Sequence, residues 1–197
     1  MTEAGQPSQI SQERIREGTT ADAPAIAAIH VRSWIATYGK PPSGGGIDMD
    51  TSHRTELWKR RLDEQGMGRQ ISVALESRAV VGFIYFGPSP DVEDDSQPTG
   101  HVFSIHVEPT LTDRGIGRRL LGHGVDELAA GGCVRVTLWV VASNQKSRGF
   151  YERLGWQSDG KHRWEELALE GEQGDQVDVV RYYLELAPTT GKNNEHR

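Results

Sequence analysis

The chain has 197 residues, 28 acidic against 22 basic for a formal net charge of -6, and a single cysteine, Cys133. That length suffices for one domain with its own core. One thiol excludes an internal disulfide framework and a multi-thiolate zinc site and fits a reducing compartment, so a cytoplasmic chain is the default expectation. No apolar run approaches the about 20 residues that span a bilayer, the N-terminal MTEAGQPSQISQE lacks the basic and apolar regions of a signal peptide, and the acidic balance speaks against nucleic acid as the partner.

Residues 1–12 and 188–197 are polar and aperiodic and read as tails, leaving one domain over 13–187. A short strand around Arg14 to Glu17 precedes a helix that opens near Pro24, where a missing N–H costs nothing, with Thr20 or Asp22 as its cap. Ile26, Ile29, Trp34 and Tyr38 give its apolar side, and it stops before Pro41. GKPPSGGG reads as a loop, and a second helix from Asp50 to Gln65 carries Leu57, Trp58, Arg61 and Leu62 at helical spacing. The period then changes. Ile71, Val73 and Leu75 alternate with polar neighbours, Ser77 and Arg78 turn the chain, and AVVGFIYF returns as a buried strand, so an antiparallel hairpin is predicted. After the loop GPSPDVEDDSQPTG come the strand HVFSIHV and a helix from Gly115 to Ala130 with an inner stripe of Ile116, Leu120, Leu121, Val125 and Leu128, ended by Gly131 and Gly132. CVRVTLWVV is a central strand, Asn144 to Leu154 a short helix, and QVDVVRYYLEL a final strand, with room for another after Gly155. This order predicts a mixed α/β (α+β) sheet covered by helices.

Two segments carry chemistry. In VEPTLTDRGIGRRLL, Val107 to Leu121, a buried strand turns into a helix opened by Gly115 and Gly117, where bare amides and the positive end of the helix favour an anion such as phosphate. Arg114, Arg118 and Arg119 add charged donors. Neither the P-loop nor the dinucleotide fingerprint is present. The second segment, VVASNQKSRGFYERLGW from Val140, sets Asn144, Ser147, Phe150, Tyr151, Gly155 and Trp156 at fixed spacing.

Together these segments resemble the GNAT superfamily of acyl-CoA-dependent N-acetyltransferases. Its pyrophosphate loop has the form Gln/Arg-x-x-Gly-x-Gly/Ala and its later motif the form Asn-x-x-Ala/Ser-x-x-Phe-Tyr-x-x-x-Gly-Phe/Trp. The element order agrees from Arg14 to Leu186, and HVRSWIATY, His30 to Tyr38, is similar to a phrase of bacterial members. The resemblance implies a mostly antiparallel sheet of six to seven strands, splayed between the fourth and fifth, with about four helices. Acetyl-CoA would enter the splay, its pantetheine along Ile105 to Val107 and its diphosphate on the amides of Thr112 to Arg118, including Arg114, Gly115, Ile116 and Gly117. Asn144, Ser147 and Phe150 would complete the cofactor site, and a backbone amide near Val107 would face the acetyl oxygen. Thr112 departs from the family's Gln or Arg, Asp113 stands where a small residue is frequent, and Leu111 replaces a common aromatic. A carboxylate beside a diphosphate is repulsive unless an arginine screens it.

The resemblance gives Tyr151 the role of general acid, against plain aromatic packing beside Phe150. The family's frequent glutamate on the fourth strand is missing; His101, on one strand face with Phe103, Ile105 and Val107 by alternation, is the candidate base, against a solvated histidine at a strand start. His106 points to the other face and reads as structural, and Glu108 as a strand-end carboxylate. Trp34 and Tyr38 read as packing more than as substrate contacts, Asp91, Glu93, Asp94 and Asp95 as a solvated loop more than a steering patch, and Cys133 as a small core residue. Arg181, Tyr182 and Tyr183 either line the acceptor side or pack. The implied activity is acetyl transfer from acetyl-CoA to a primary amine of a small molecule or peptide, by direct attack in a ternary complex, without metal. The alternatives are a catalytically weak acyl-CoA-binding module and an anion site unrelated to coenzyme A. No nucleic acid or membrane partner is expected, and a homodimer is one assembly the resemblance allows. The basic cluster of Arg114, Arg118, Arg119, Lys146 and Arg148 suits a polyphosphate, and the acidity elsewhere favours a cationic amine as acceptor.

Overall fold

A computed structural model describes residues 14–39, 51–66, 68–91, 96–167 and 175–186. In them the chain runs β1 (Arg14–Glu17), α1 (Ala23–Tyr38), α2 (Ser52–Asp63), β2 (Gln70–Glu76), β3 (Ala79–Pro88), β4 (Thr99–Val107), α3 (Ile116–Ala130), β5 (Arg135–Val141), α4 (Gln145–Arg153), β6 (Gln157–Leu167) and β7 (Asp175–Glu185). The strand foreseen after Gly155 is present as β6. The two tails, the GKPPSGGG loop beyond Gly39, and Glu93, Asp94 and Asp95 lie outside the described residues.

Asp22, one of the two caps expected, is the residue that caps α1, and a 3-10 turn at Thr20–Asp22, itself opened by Thr19, leads into it. The Asp22 carboxylate accepts from the Thr19 backbone N at 2.8 Å and from Thr19 Oγ1 at 3.0 Å, and the Arg16 guanidinium grips it at 2.7 and 2.8 Å. Asp22 thereby ties β1 to the helix entrance, and Gly39, at φ 80, closes the other end in the left-handed region.

One sheet runs in the order β1-β2-β3-β4-β5-β7-β6, antiparallel except where β4 meets β5. Alternation along β3 sends Phe83 and Tyr85 to one face and Ile84 and Phe86 to the other. The first face buries Ile26, Ile29, Trp58 and Leu62 of α1 and α2; the second buries Ile116, Leu120, Leu121 and Leu128 of α3 with Tyr151 of α4. A Cβ on Gly124 would stand 2.7 Å from Ile84 Cδ1, so that glycine lets α3 lie close on β3. Trp58 is fully buried, its ring 5.6 Å from His30, 4.9 Å from Phe83 and 6.0 Å from Tyr85. Trp58→Ala is expected to lower the free energy of unfolding by about 3–5 kcal/mol in denaturant titration, since no neighbour can refill an indole-sized hole; a loss below about 1 kcal/mol would contradict this packing.

Two irregularities shape the sheet's centre. The β3–β4 register pairs Tyr85 with Ser104 but Phe86 with Val102, leaving Phe103 as the extra residue of a bulge. The parallel β4–β5 ladder consists of Thr99↔Arg135, Gly100↔Val136 and His101↔Thr137. Beyond that point the strands diverge, β4 staying with β3 and β5 with β7.

Candidate active site

Two cavities open on the splay and meet at its mouth. The one beneath α3 and α4 has a volume of about 530 Å³. Of the residues expected around a cofactor, Ile105 and Val107 reach it from β4, Thr112, Gly115, Ile116, Gly117 and Arg118 from the turn into α3, and Asn144, Ser147 and Phe150 from the start of α4. Arg114 does not border it: its guanidinium turns away to Glu76, 2.6 Å between Nη2 and Oε1.

The turn is built to present amides. Gly115 precedes the first helical residue at φ 81, and the first intrahelical bond of α3 runs from Arg119 N to Gly115 O at 3.1 Å. The N–H groups of Ile116, Gly117 and Arg118 thus lie ahead of the ladder at the positive end of a 15-residue helix. Arg118, Lys146 and Arg153 add cationic side chains to the wall. Arg119 and Arg148 of the expected basic cluster point elsewhere: Arg119 donates to Arg114 O, and Arg148 to Ala142 O at 3.0 Å and to Tyr182 Oη at 3.1 Å. Asp113 also borders the cavity, in the left-handed region at φ 66, and Thr112 Oγ1 turns back to Pro109 O at 3.1 Å.

Thr37, Ile105, His106, Asn144, Ser147 and Tyr151 border both cavities. The Asn144 side chain caps α4 by accepting from Ser147 N at 3.0 Å. Burial, and the nearby Tyr38, push the Tyr151 phenol well above its usual range. The group is therefore a protonated hydroxyl throughout the neutral range.

The two histidines of β4 lie on one face of the strand rather than on opposite faces. The bulge at Phe103 reverses the alternation, so Ile105 and Val107 join the α3 face while His106 faces α1 and His101 shares no face with Ile105. His101 is buried where β4 pairs with β5, its Nδ1 2.9 Å from Thr137 Oγ1, and it borders neither cavity. His106 borders both, with Nδ1 2.6 Å from Ser33 Oγ and its ring 4.6 Å from His30 and 5.3 Å from Phe83. Burial lowers the His106 imidazole to about 4. Burial, followed by the charges of His106, Arg54 and Arg61, holds His30 well below its usual value.

Both histidines are thus less basic folded than unfolded, where an imidazole titrates near 6.5. As pH falls from there toward about 4, the unfolded chain takes up protons that the folded chain refuses, and stability declines. From His106 alone we expect about 2 kcal/mol lost between about pH 7.5 and about pH 5 in urea titrations, with a smaller decline in His106→Asn. A wild-type stability that is level across that window would contradict it.

The other cavity, about 510 Å³, lies on the α1 and α2 side. Trp34 and Tyr38 both border it, so their helical spacing serves a cavity wall as well as packing. Sequence reading missed Arg54 and Arg69 there, and placed Arg61 only as a helix position. The seven-residue spacing of Arg54 and Arg61 around the buried stripe of Leu57, Trp58 and Leu62 was the available signal.

Several remaining candidates hold structural positions. Glu108 receives Arg32 Nε at 3.0 Å and Nη2 at 2.6 Å. Arg181 is 2% exposed, donating to Asp159 Oδ2 at 2.7 Å through Nε, with Nη1 3.6 Å from Asp91. Asp91 also accepts from Trp139 Nε1 and Arg163 Nη1, both at 2.9 Å, so it belongs to a charge network rather than to an open acidic patch. Tyr182 Oη donates to Glu152 at 2.6 Å, and Tyr183 Oη to Gln157 at 3.2 Å; neither tyrosine nor Arg181 lines a cavity. Cys133 is half-buried, its thiol raised by burial. Among the described residues no cluster of three or more His, Cys, Asp or Glu is placed to hold a metal, and no helix is long and apolar enough to cross a membrane.

The profile of the Acetyltransferase (GNAT) family matches residues 31–156. A Mycobacterium tuberculosis chain named "Probable N-acetyltransferase" is 28% identical over 82% of this chain and 88% of its own. The mycothiol acetyltransferase of Kocuria rhizophila is 30% identical over 70% of this chain, which spans 45% of that longer protein. Among solved structures, yncA of Salmonella typhimurium with its cofactor acetyl-CoA shares the fold at a TM-score of 0.65 and 23% identity, over 90% of this chain and 95% of that one.

Proposed function

The chain belongs to the acetyltransferase (GNAT) family, and from that premise we propose that it transfers an acetyl group from acetyl-CoA to a primary amine of a small molecule or peptide, by direct attack with both substrates bound. The observation that carries this reading is the junction itself: an amide-rich, cationic cavity and an aromatic-walled cavity meet where Tyr151 and His106 stand. The donor set fits the cofactor. The N–H groups of Ile116, Gly117 and Arg118, with Arg118, Lys146 and Arg153, suit a diphosphate, and the cations offset Asp113. Acetyl-CoA, when bound, supplies a thioester whose carbon–sulfur bond breaks as the amine nitrogen bonds to the acetyl carbon.

In this reading Tyr151 Oη holds the proton that the departing sulfur needs; its raised pKa keeps that proton in place until it is required. His106, kept neutral by burial, takes the place of His101 and relays to a linking water the proton that the amine gives up, rather than holding it. Ser33 Oγ, 2.6 Å from His106 Nδ1 and 3.1 Å from His30 O, fixes the imidazole, leaving Nε2 for the amine or a linking water. The backbone amide near Val107 is the donor for the acetyl oxygen. The unit is one domain over residues 13–187 working in the cytoplasm.

Thiol release from acetyl-CoA, followed across a panel of amines and paired with calorimetric titration of acetyl-CoA, tests the proposal. Saturable turnover with at least one amine is expected. Tight binding with no turnover on any amine would favour the acyl-CoA-binding module instead.

A further inference from the structure

We infer that the acceptor carries an oxyanion group, a carboxylate or phosphonate, seated against the arginines of the cavity beneath α1 and α2. This deepens, and rests on, the acetyl-transfer reading. Arg54 and Arg61 stand two turns apart on α2, and Arg69 stands just before β2; all three belong to the cavity wall. Arg61 lies over the rings of Trp58 and Tyr85 at 4.9 and 5.3 Å. Arg69 lies 4.7 Å over the ring of Phe103 and donates from Nη1 to Tyr85 Oη at 3.1 Å. Aromatic faces and a phenol hold the Arg69 guanidinium plane without neutralising it. Among the described residues no carboxylate lies within ion-pair distance of Arg69.

A second observation points the same way. Trp34 Nε1 and Ser104 Oγ, in two other residues of this wall, are buried without a hydrogen-bond partner among the described residues. An indole N–H can only donate, and buried donors are normally satisfied. Glu165 and Glu166 of β6 also face the cavity; Glu165 is taken up by Arg163, whose Nε donates to it at 2.6 Å, and Glu166 sets one formal negative charge against the three arginines. The formal charge of the wall is therefore positive, and the Trp34 indole N–H is a donor in it that no described residue meets. A ligand rich in acceptors and bearing negative charge meets it, whereas a polyamine would bring cations against three guanidinium groups. The same field serves the chemistry, because neighbouring positive charge lowers the pKa of a bound ammonium and favours the free amine. The chain's total of -6, which favours a cationic acceptor, is opposite in sign to this local field.

Matched acceptors test the seat: alanine against alaninamide, 2-aminoethylphosphonate against ethanolamine, and spermidine as the cation, each followed by thiol release from acetyl-CoA. We expect the anionic member of at least one pair to have a kcat/KM higher by at least about 10-fold, with spermidine the poorest. The carboxylate and phosphonate arms show which oxyanion fits. At neutral pH a larger fraction of alaninamide than of alanine is the free amine, so amine availability works against the expected order. In Arg69→Gln the preference is expected to collapse through the acceptor KM, with the acetyl-CoA KM within about threefold of wild type, and Arg69→Lys should restore part of it. Preference for the neutral or cationic acceptors, or a preference that survives in Arg69→Gln, would overturn the seat. Turnover of no member while acetyl-CoA binds would sink acetyl transfer rather than the seat. The seat is then read by calorimetry of N-acetylalanine against N-acetylalaninamide on the chain saturated with coenzyme A, where tighter binding of the anion supports it and equal affinities, or binding of neither, overturn it.

Discussion

Tyr151→Phe is expected to lower kcat by at least about 100-fold while the KM for acetyl-CoA moves by less than about threefold. The substitution keeps the ring, which packs 5.3 Å from Phe150, 6.0 Å from Trp156 and 6.3 Å from Tyr182, so the aromatic cluster and the fold survive. What disappears is one hydroxyl at the junction of the two cavities. Because burial raises the Tyr151 pKa, the wild-type rate should rise with pH as the amine deprotonates and show no fall up to about pH 10. Steady-state kinetics across that range check both statements. A variant with unchanged kcat would return Tyr151 to a packing role.

The second large effect is expected at Gly115. Its φ of 81 lies in the left-handed region, and an added Cβ would come 3.1 Å from Arg119 Nη1. A β-branched side chain there is strained by about 1–3 kcal/mol and displaces the amides of the first turn. Gly115→Val is therefore expected to raise the KM for acetyl-CoA by at least about 10-fold and to lower the melting temperature. Gly115→Asn should do far less, because asparagine tolerates left-handed backbone. Equal effects of the two variants would mean that the turn's conformation does not set cofactor affinity.

The sequence was most legible where function and local structure share one segment. The glycine-opened start of α3 and the Asn144–Trp156 stretch are each contiguous, so the resemblance they carry located Thr112, Gly115, Ile116, Gly117, Arg118, Asn144, Ser147, Phe150 and Tyr151 on one cavity wall. Splaying of β4 from β5 followed from the resemblance those segments carry. Alternation failed on β4 for a definite reason: a single inserted residue, Phe103, is invisible to a period-two count and reverses every side chain after it. That insertion puts His106 on the same face of β4 as His101, and of the two it is His106 that borders the cavities. Arg114 looked like a phosphate ligand because it is close in sequence to Gly115, yet Glu76, 38 residues away, claims it. The second cavity was not legible at all as a unit. Arg54 and Arg61 lie on α2, Arg69 before β2 and Ser104 on β4, and only the packing of α1 and α2 on the sheet brings them to one wall.

A crystal structure of the chain with coenzyme A bears most directly on the central claim, that the splay and the N-terminus of α3 form the cofactor seat. The diphosphate is expected on the N–H groups of Ile116, Gly117 and Arg118, with the pantetheine arm alongside Ile105 to Val107 and the sulfur near Tyr151 Oη. A cofactor bound away from the splay, or a chain that takes up no coenzyme A at saturating concentration, would contradict it.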